Sequence, residues 1–323
     1  MAEVKRKLLA RCEVRNADPL LVAVSGGADS VALLGACQVL SHRKSHDYNI
    51  KSVVAVHVHH HLRDSADQDA EFVQELCDRL GVQLIVKDIY PGKEPGNIAA
   101  NARDLRYEAL TQAARSVNAF NIATAHHGDD QLETILIALC RGAGVDGLSG
   151  MAWTRPLEDG LALVRPLLGL RKANCLAFCQ MAELSWCEDP TNSDPTQVRA
   201  RLRRDVLPVL EELWPDAASR ATSAADAMAI ARHALNAQLQ KTFGDDNSLS
   251  WNRSDIALLP LPIIAAGLRR AAIAGHPNIA DSLGQSLLNQ AAEAICSDDR
   301  SPKEYHWPGG VILMVTSKQI QMK

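Results

Sequence analysis

The strongest constraint on the fold is an apolar segment that runs directly into two glycines and then into a helical pattern. Residues 22–30 read Val-Ala-Val-Ser-Gly-Gly-Ala-Asp-Ser. Glycine has no Cβ, so the turn can take positive φ and bring backbone N–H groups close to a polyanion, while the following helix adds its N-terminal partial charge. The segment therefore predicts a nucleotide phosphate site, with Ser25 and Ser30 as hydroxyl donors and Asp29 as a magnesium ligand.

The residue types in this turn limit the reactions that the site can support. It lacks the lysine that ends a G-x-x-x-x-G-K-[ST] loop and reaches the β- and γ-phosphates, which disfavours transfer of the γ-phosphoryl group. The order S-G-G-x-D-S resembles the turn of the PP-loop ATP pyrophosphatases. Those enzymes cleave ATP between the α- and β-phosphates and activate a substrate as its adenylate. Taken alone, the turn is also compatible with an ordinary glycine-rich connection between a strand and a helix.

Size, charge and cysteine content limit the setting in which the chain works. Its 323 residues are enough for about two domains, and the charged N-terminal segment is followed by no stretch long enough to span a bilayer. We therefore expect a cytoplasmic protein without a membrane partner. The eight cysteines contain no C-x-x-C pair, which favours buried hydrophobic roles over a zinc ribbon or a redox dithiol. With a net charge of −4, any contact with RNA requires a local basic patch.

In the first half of the chain, short apolar runs alternate with helical periodicity. The predicted strands are residues 20–24, 52–58, 82–86 and 119–125, and the predicted helices are residues 29–40, 66–80 and 97–117. This alternation predicts an α/β fold, with a parallel sheet and helices on both faces. Ligands of such sheets lie beyond the carboxyl ends of the strands, so we expect residues 25–27, 57–61, 87–88 and 126–130 to converge on one edge.

After Pro166 the pattern is mainly helical. The predicted helices are residues 171–185, 197–213, 217–243, 261–274 and 282–295, and residues 307–315 predict a turn and a strand. Pro208 and Pro215 separate two long helical patterns. We therefore predict one domain over residues 1–212 and a smaller, mainly helical domain over residues 213–323.

A second group of functional residues follows the fourth predicted strand. Asp130 and Glu133 are three positions apart and so face the same side of the predicted helix. Both carboxylates can bind an ammonium group while His126 approaches the nucleotide from the end of the strand. An acidic pair with this spacing also resembles a capping box, which stabilises a helix start without any chemistry. Both interpretations stay open at this point.

Two groups of arginines are candidates for anion binding. Arg103 and Arg106 lie on one face of the third predicted helix, where a guanidinium can stabilise anionic oxygens during adenylyl transfer. Four arginines between residues 199 and 204 form a basic cluster with the chemistry for phosphate contacts. For each group the alternative is a solvated helix surface.

The histidines at positions 57, 59, 60 and 61 raise the question of a metal site. Along a strand, His57, His59 and His61 project to one face and His60 to the other. No cysteine or carboxylate lies at a familiar ligand spacing along the chain, which argues against a dedicated transition-metal site.

Taken in order, these blocks resemble the tRNA(Ile)-lysidine synthetase family within the PP-loop group. The residues that carry the match are 25–30, 57–63, 101–107, 126–134, 141–144, 147–148, 165–168 and 189–203. The resemblance implies an adenine nucleotide α-hydrolase-like sheet domain that carries the catalytic site, followed by a smaller helical domain that binds tRNA.

The resemblance also implies an activity, a carbon–nitrogen ligation. ATP and Mg²⁺ would serve to adenylate the C2 oxygen of the wobble cytidine in a CAU-anticodon tRNA(Ile), with release of pyrophosphate. Lysine would then displace AMP and give lysidine. A homodimer is common among short family members and is implied here as well.

By the same resemblance, particular residues receive roles. The residues expected to hold the ATP phosphates and magnesium are Ser25, Gly26, Gly27, Asp29 and Ser30. Those expected near the adenosine are Ala23 and His57. The lysine-recognising carboxylates are Asp130 and Glu133, and the candidates for the activated cytidine are His126 and Arg106. The arginines expected to reach RNA or phosphate are Arg199, Arg201 and Arg203.

The chain departs from the family pattern at two of these positions. His61 stands where a glycine is usual, and Ala200 stands where an asparagine is usual. Two other functions stay open. One is a PP-loop tRNA thiolase, which transfers sulfur and generally needs paired cysteines. The other is a nucleotide-binding regulatory module without catalysis, which would have no use for an amino-acid pocket.

Overall fold

The computed structural model describes residues 2–14, 16–17, 19–42, 49–61, 66–188, 197–245, 248–279 and 282–323. Two segments of the sequence motifs, Leu62–Arg63 and Asp189–Asp194, lie outside the described residues. The chain divides into two compact units, Met1–Ala229 and Ile230–Lys323. This division falls inside a long helix, later in the chain than residue 212, and the domain boundary expected there stays a prediction.

The helices of the first unit are α1 Ala2–Ala10, α2 Ala28–Ser41, α3 Ala66–Leu80, α4 Ile98–Ser116, α5 Gly128–Cys140, α6 Val145–Leu148, α7 Lys172–Met181, α8 Val198–Arg201 and α9 Leu207–Leu213. A π-helical segment, Leu202–Val206, lies between α8 and α9. The long helix α10 covers Ala217–Phe243, and the later helices are α11 Arg253–Ile256, α12 Leu261–Gly275 and α13 Gln285–Cys296.

The strands of the first unit are β1 Asn16–Ala17, β2 Leu20–Ala23, β3 Asn49–Ile50, β4 Val53–His59, β5 Gln83–Asp88, β6 Asn121–Ala123, β7 Thr154–Pro156 and β8 Ala162–Val164. The strands of the second unit are β9 Ser250–Asn252, β10 Lys303–His306, β11 Ile312–Val315 and β12 Gln319–Met322.

The main sheet of the first unit has the strand order β5-β4-β2-β6-β8-β7. Its pairs are parallel except β7 with β8, which is antiparallel. The predicted α/β fold is therefore confirmed, with an antiparallel edge that the sequence analysis did not include. Strands β7 and β8 have three residues each, too short to leave a readable apolar pattern.

Helices cover this sheet on both faces because the strand residues alternate. Leu20 and Val22 point into a core shared with α2, α3 and α7, whereas Leu21 lies in a second core shared with α4. Such two-sided burial explains why the strands read as continuous apolar runs rather than as an alternation of apolar and polar residues.

The order of the strands places a switch point beside β2. From β2 the chain passes to β4 and then β5 on one side, and it returns to β6 on the other side. In doubly wound sheets, ligands bind in the crevice beyond the carboxyl ends of the strands at such a reversal. The glycine turn follows β2 and the histidines at positions 126 and 127 follow β6, so both predicted motifs lie at this crevice.

The second unit packs helices α12 and α13 with a small antiparallel sheet of order β10-β11-β12-β9. The helical content was predicted, as was a strand near residues 307–315, but the four-stranded sheet was not. Arg253 is buried here and donates to the carbonyl oxygens of Ala294 and Ile295 at the end of α13. In neither unit do the described residues contain a helix with the length and apolar character of a membrane span.

Candidate active site

The turn after β2 is held by its own serines. Gly26 has φ of +91°, a backbone conformation that glycine adopts without the penalty a Cβ would bring. The Ser25 amide donates to Ser30 Oγ at 3.1 Å, and Ser30 Oγ donates to the Gly27 carbonyl at 2.8 Å. The buried Ser30 hydroxyl therefore fixes the shape of the turn.

Helix α2 begins directly after this turn with an open N-terminus. Gly27 occupies the N-cap in extended conformation and has no side chain that could accept from the first amides of the helix. Those amides are the groups that a phosphate or another anion satisfies at a helix N-terminus. The turn and the helix start together form a concentrated set of backbone donors at the switch point.

Asp29, in the first turn of α2, has one engaged and one unengaged carboxylate oxygen. Oδ2 lies 3.5 Å from Nε2 of His127, whereas the buried Oδ1 has no hydrogen-bond partner among the described residues. Burial favours the neutral acid, but the hydrogen bond and charge of His127, with the charges of Lys172 and Arg203, outweigh it and lower the pKa of Asp29. A half-buried, ionised carboxylate with one oxygen that has no partner among the described residues suits a hard cation such as Mg²⁺.

His127 lies at the centre of the acidic residues. Its Nδ1 is 3.4 Å from Asp129, and its Nε2 is 3.5 Å from both Asp29 and Asp130. Burial opposes the charged imidazolium, but hydrogen bonds and charges from the three carboxylates outweigh it and raise the pKa of His127 to about 10. His127 is therefore a buried cation at neutral pH.

Asp130 and Glu133 lie together on one face of α5, as the sequence predicts, and a single cation bridges them. Arg203 donates through Nη2 to Asp130 Oδ1 at 2.9 Å and to Glu133 Oε2 at 3.2 Å, and its Nε donates to Glu133 Oε1. Glu133 is fully buried, whereas 35% of the Arg203 side chain is exposed. Burial raises the pKa of Glu133 in spite of the guanidinium beside it.

At the start of α5, Asp130 also caps the helix by a hydrogen bond to the backbone of His127. Asp130 Oδ2 accepts from the backbone N–H of His127 at 3.0 Å, which leaves Oδ1 for Arg203. Glu133 takes no part in the cap. The carboxylate of Asp130 thus has both a capping role and a place in the cation site.

The residues predicted near the base and the adenosine flank this centre. His126 Nδ1 is 3.0 Å from Thr124 Oγ1, and burial, aided by the charges of Arg165 and Arg106, lowers the pKa of His126 to about 4. His57 is buried with Nδ1 2.9 Å from the Val24 carbonyl, and burial lowers its pKa as well. Both imidazoles are therefore neutral at pH 7, and Ala23 ends β2 between them in strand order.

The three arginines assigned to RNA have different surroundings. Arg199 lies 3.4 Å from Thr134 of α5 through Nη2 and Oγ1. Arg201 is exposed, with its Nε 4.0 Å from Asp205. Arg203 is engaged within the carboxylate site. Of the three, Arg201 presents the side chain most available to an outside phosphate.

Several residues that shape the site had not been singled out by the sequence analysis. Asp129 accepts from the backbone N–H of Lys172 at 2.7 Å, which ties α5 to α7. Gln131 is buried and its side chain brackets Met151, accepting from the amide at 2.8 Å and donating to the carbonyl at 3.1 Å. A Cβ at Gly150 would lie 2.7 Å from the Gln131 side chain, so the glycine leaves room for this glutamine. The two consecutive histidines were visible in the sequence, but the contact of His127 with Asp29 comes from a separate helix, α2.

The cysteines give no support for a sulfur site. Burial raises the pKa of the Cys12 and Cys37 thiols to about 12 and that of Cys179 to about 11, which disfavours the thiolate that metal binding or sulfur transfer requires. Cys140, close to the candidate site in sequence, is exposed at the end of α5. Across the described part of the chain, no group of three potential metal ligands includes a cysteine.

Two relatives of this chain carry the same name. The chain is 36% identical over 306 residues to a protein named tRNA(Ile)-lysidine synthase from Pseudomonas fluorescens, an alignment that covers 92% of this chain and 64% of the relative. It is 39% identical over 250 residues to the protein of that name from Xanthomonas campestris, covering 77% of this chain and 52% of the relative. The chain thus spans between about half and two thirds of the length of these relatives.

Among solved structures, the U34-tRNA thiolase NcsA from Methanococcus maripaludis is similar with a TM-score of 0.59 and 17% identity, covering 70% of this chain and 76% of that one. At that identity the likeness concerns the fold. The family model of the PP-loop domain matches residues 1–210, the region that contains the glycine turn, the acidic start of α5 and the arginine cluster. The chain belongs to the PP-loop domain family.

Proposed function

We propose that this chain is an ATP-dependent ligase that joins lysine to C2 of the wobble cytidine in a CAU-anticodon tRNA(Ile). The observation that carries the proposal is the pair of carboxylates, Asp130 and Glu133, which share one cation beside the glycine turn. An adenylating domain needs only the turn. A neighbouring acidic site for a cation is what a lysine nucleophile would require in addition, and the names of the relatives agree with it.

The residues proposed to bind ATP lie in the turn, in α2 and at the ends of the neighbouring strands. The backbone of residues 25–27, the Ser25 and Ser30 hydroxyls and the open end of α2 would bind the triphosphate, with Ala23 and His57 near the adenosine. Asp29 would hold Mg²⁺, since its Oδ1 is buried, without a partner among the described residues, and its pKa is lowered. The ion would neutralise charge on the leaving pyrophosphate.

The residues proposed to act on the cytidine lie after the end of β6 and on α4. His126, kept neutral by burial, would hydrogen-bond the cytidine rather than repel or attract it as a charge. Arg106 lies close enough for its charge to affect His126, and its guanidinium would stabilise the negative charge that develops as AMP forms and leaves.

The lysine side chain would bind to Asp130 and Glu133. In the chain alone the two carboxylates are satisfied by Arg203, so the lysine ammonium has to take over some of the same oxygens. The carboxylates would bind and orient the protonated side chain. Attack on C2 needs the neutral amine, because the protonated form has no lone pair, so the proton has to leave within the complex.

RNA binding would involve Arg199 and Arg201 beside the site, Arg203 once lysine displaces it, and the second unit for the body of the tRNA. A homodimer and a cytoplasmic location stay predictions. Sulfur transfer is the less favoured alternative because the buried cysteines are held as thiols. A nucleotide-binding regulatory module without catalysis is less favoured because the acidic site has no role in sensing ATP.

The proposal is tested by incubating the protein with ATP, Mg²⁺, lysine and unmodified CAU-anticodon tRNA(Ile), followed by nucleoside mass analysis. We expect a cytidine heavier by lysine less one water, and no product from the same tRNA with uridine at the wobble position. Without lysine, an adenylyl group should accumulate on the RNA. Absence of that group, or gain of sulfur, would contradict the proposal.

The Glu133→Gln variant separates the two halves of the reaction. Loss of one charged hydrogen bond to the ammonium should raise the KM for lysine about 10- to 100-fold while RNA adenylation persists. Cys140→Ser is the matched control on the same helix, and lysidine formation should stay at the wild-type level. Equal loss of adenylation and ligation in Glu133→Gln would remove the assigned role of this carboxylate.

A further inference from the structure

A second group of chemically capable side chains lies at the ends of β4 and β5, apart from the residues assigned above. His59 ends β4 and lies opposite Asp88 in the parallel ladder, and His61 follows two residues later. One ligand atom from each of the three lies within 4.8 Å of the others. The carboxylate comes from the neighbouring strand, so the spacing of residues along the histidine segment alone does not predict the cluster.

His59 is held in the state that a metal ligand needs. It is buried, and its Nε2 lies 2.9 Å from Asp67 Oδ1. With Nε2–H donating to that carboxylate, Nδ1 carries the lone pair, and the His61 backbone N–H donates to it at 3.3 Å, a long hydrogen bond that a bound ion would replace. A carboxylate on the far nitrogen is the arrangement that orients metal-bound histidines and fixes their tautomer.

His61 is brought to the same point at a conformational cost. Its φ is +49°, a conformation uncommon for a residue with a Cβ. The imidazole is stacked on Tyr90 with ring centroids 4.6 Å apart and 9° between the planes, and its centroid lies 3.9 Å from that of His59. His61 Nε2 lies 2.7 Å from Asp88 Oδ1. Two imidazoles and a carboxylate are therefore packed side by side.

We propose that His59, His61 and Asp88 form a binding site for a divalent transition-metal ion, Zn²⁺ by its donor set. Two imidazole nitrogens and one carboxylate oxygen, with water in the fourth position, suit zinc, whereas magnesium and calcium prefer oxygen ligands. Bound there, the ion joins the ends of β4 and β5 and so braces the strand that carries His57. Asp67 is a positioning residue for the His59 ring.

The test uses the full chain, freed of metal, and titrates it with Co²⁺ and then with Zn²⁺ in competition. We expect one equivalent of Co²⁺ with the intense visible absorption of low-coordinate nitrogen–oxygen ligation, its displacement by Zn²⁺, and a higher Tm with Zn²⁺ present. Co²⁺ held only by carboxylates and water, for example at Asp29, is six-coordinate and absorbs weakly, so the two sites are distinguished.

Substitutions identify the ligands. His61→Gly suits the positive φ and Asp88→Asn preserves shape, so both variants should fold, which circular dichroism checks, and both should bind Co²⁺ about 100-fold more weakly. Asp67→Asn should weaken binding about tenfold. His60→Ala, on the opposite side of the segment, is the matched control and should bind as the wild type does.

The outcomes decide between a metal site and a simple ion pair. If His61→Gly and Asp88→Asn bind Co²⁺ as tightly as the wild type, or if the wild type takes up no Co²⁺ at micromolar concentration, the cluster is a hydrogen-bonded stack and the proposal fails. No nucleotide, lysine or RNA is present in the assay, so its result is independent of the proposed ligase activity.

Discussion

The glycine turn after β2 and the start of α5 after β6 lie on neighbouring strands at the same edge of the sheet, yet they meet their ligands in opposite ways. The turn offers backbone amides and one carboxylate oxygen, Asp29 Oδ1, that has no partner among the described residues. At the start of α5, the carboxylates of Asp130 and Glu133 are already satisfied by Arg203 and the backbone.

The difference follows from the charge of the expected ligand. A polyanion needs donors, and a backbone that is fixed by Ser30 and Gly26 presents them without burying a charge of its own. A site for a cation needs buried carboxylates, and unpaired buried charges are costly, so the chain supplies internal cations. Under the proposed function, lysine would have to replace a protein group, whereas ATP would not, so the substrate amine should bind more weakly than the nucleotide.

The largest expected effect is that of replacing Asp29, which lies next to the glycine turn. Asp29→Asn removes the carboxylate that would hold Mg²⁺ and should lower RNA adenylation about 1000-fold, the equivalent of about 4 kcal/mol in the barrier. Formation of AMP-RNA without lysine measures this effect. Asp104→Asn, an exposed carboxylate on α4, is the control and should be silent. Near-normal adenylation in Asp29→Asn would place the metal elsewhere.

A smaller effect is expected when Arg203, the cation that pairs with Asp130 and Glu133, is removed. Arg203→Ala leaves the fully buried Glu133 without its guanidinium and should lower the free energy of unfolding by about 2 kcal/mol. Arg201→Ala removes an exposed arginine of the same segment and should change it by less than about 0.5 kcal/mol. Urea denaturation measures both variants. Equal values would show that Arg203 does not stabilise the acidic site.

Backbone strain in the turn gives an effect of about 1–2 kcal/mol. In Gly26→Ala the added Cβ meets Cys187, Phe72 and Val73 only at ordinary contact distances, so the cost is the positive φ. Gly27→Ala, at an extended N-cap, should cost about 0.5 kcal/mol or less. Thermal or urea unfolding tests the pair. A similar loss in both would show that φ at Gly26 is not what requires glycine.

The stability of the fold should also depend on pH, by a modest amount per pH unit. The pKa of His127 is raised to about 10 in the folded chain, so its stabilising contribution is complete below the unfolded value near 6.5 and is lost as pH rises toward 10. Between pH 6.5 and 8.5, unfolding free energy should therefore fall by about 1 kcal/mol per pH unit.

Comparison of the wild type with the His127→Asn variant separates this imidazole from other groups that titrate nearby. The lowered pKa values of His57 and His126 affect stability mainly below about pH 7, where the unfolded histidines become protonated, and the cysteines act mainly above about pH 8, as the unfolded thiols approach their ordinary pKa near 9. In His127→Asn the slope between pH 6.5 and 8.5 should become less negative by about 1 kcal/mol per pH unit. A slope unchanged by the substitution would mean that the imidazolium is not the group that titrates.

Much of the fold could be predicted because its determinants are local. Continuous apolar runs alternating with helical periodicity gave β2, β4, β5 and β6 and the helices between them, and α3 and α10 have the predicted bounds. The short strands β7 and β8 and the sheet of the second unit were not predicted. Their pairing comes from distant segments, and three- or four-residue strands carry too little pattern to be recognised.

The candidate site divides in the same way. By itself the sequence determined the glycine turn, the position of Asp130 and Glu133 on one helix face, and membership of a nucleotide-binding α/β class, because turn geometry and helical spacing act over a few residues. The tertiary structure alone decided that His127 is charged, that Arg203 fills the acidic site and that Asp88 joins His59 and His61. These outcomes depend on burial and on partners brought from other strands and helices, and such distances are set only when the sheet is assembled.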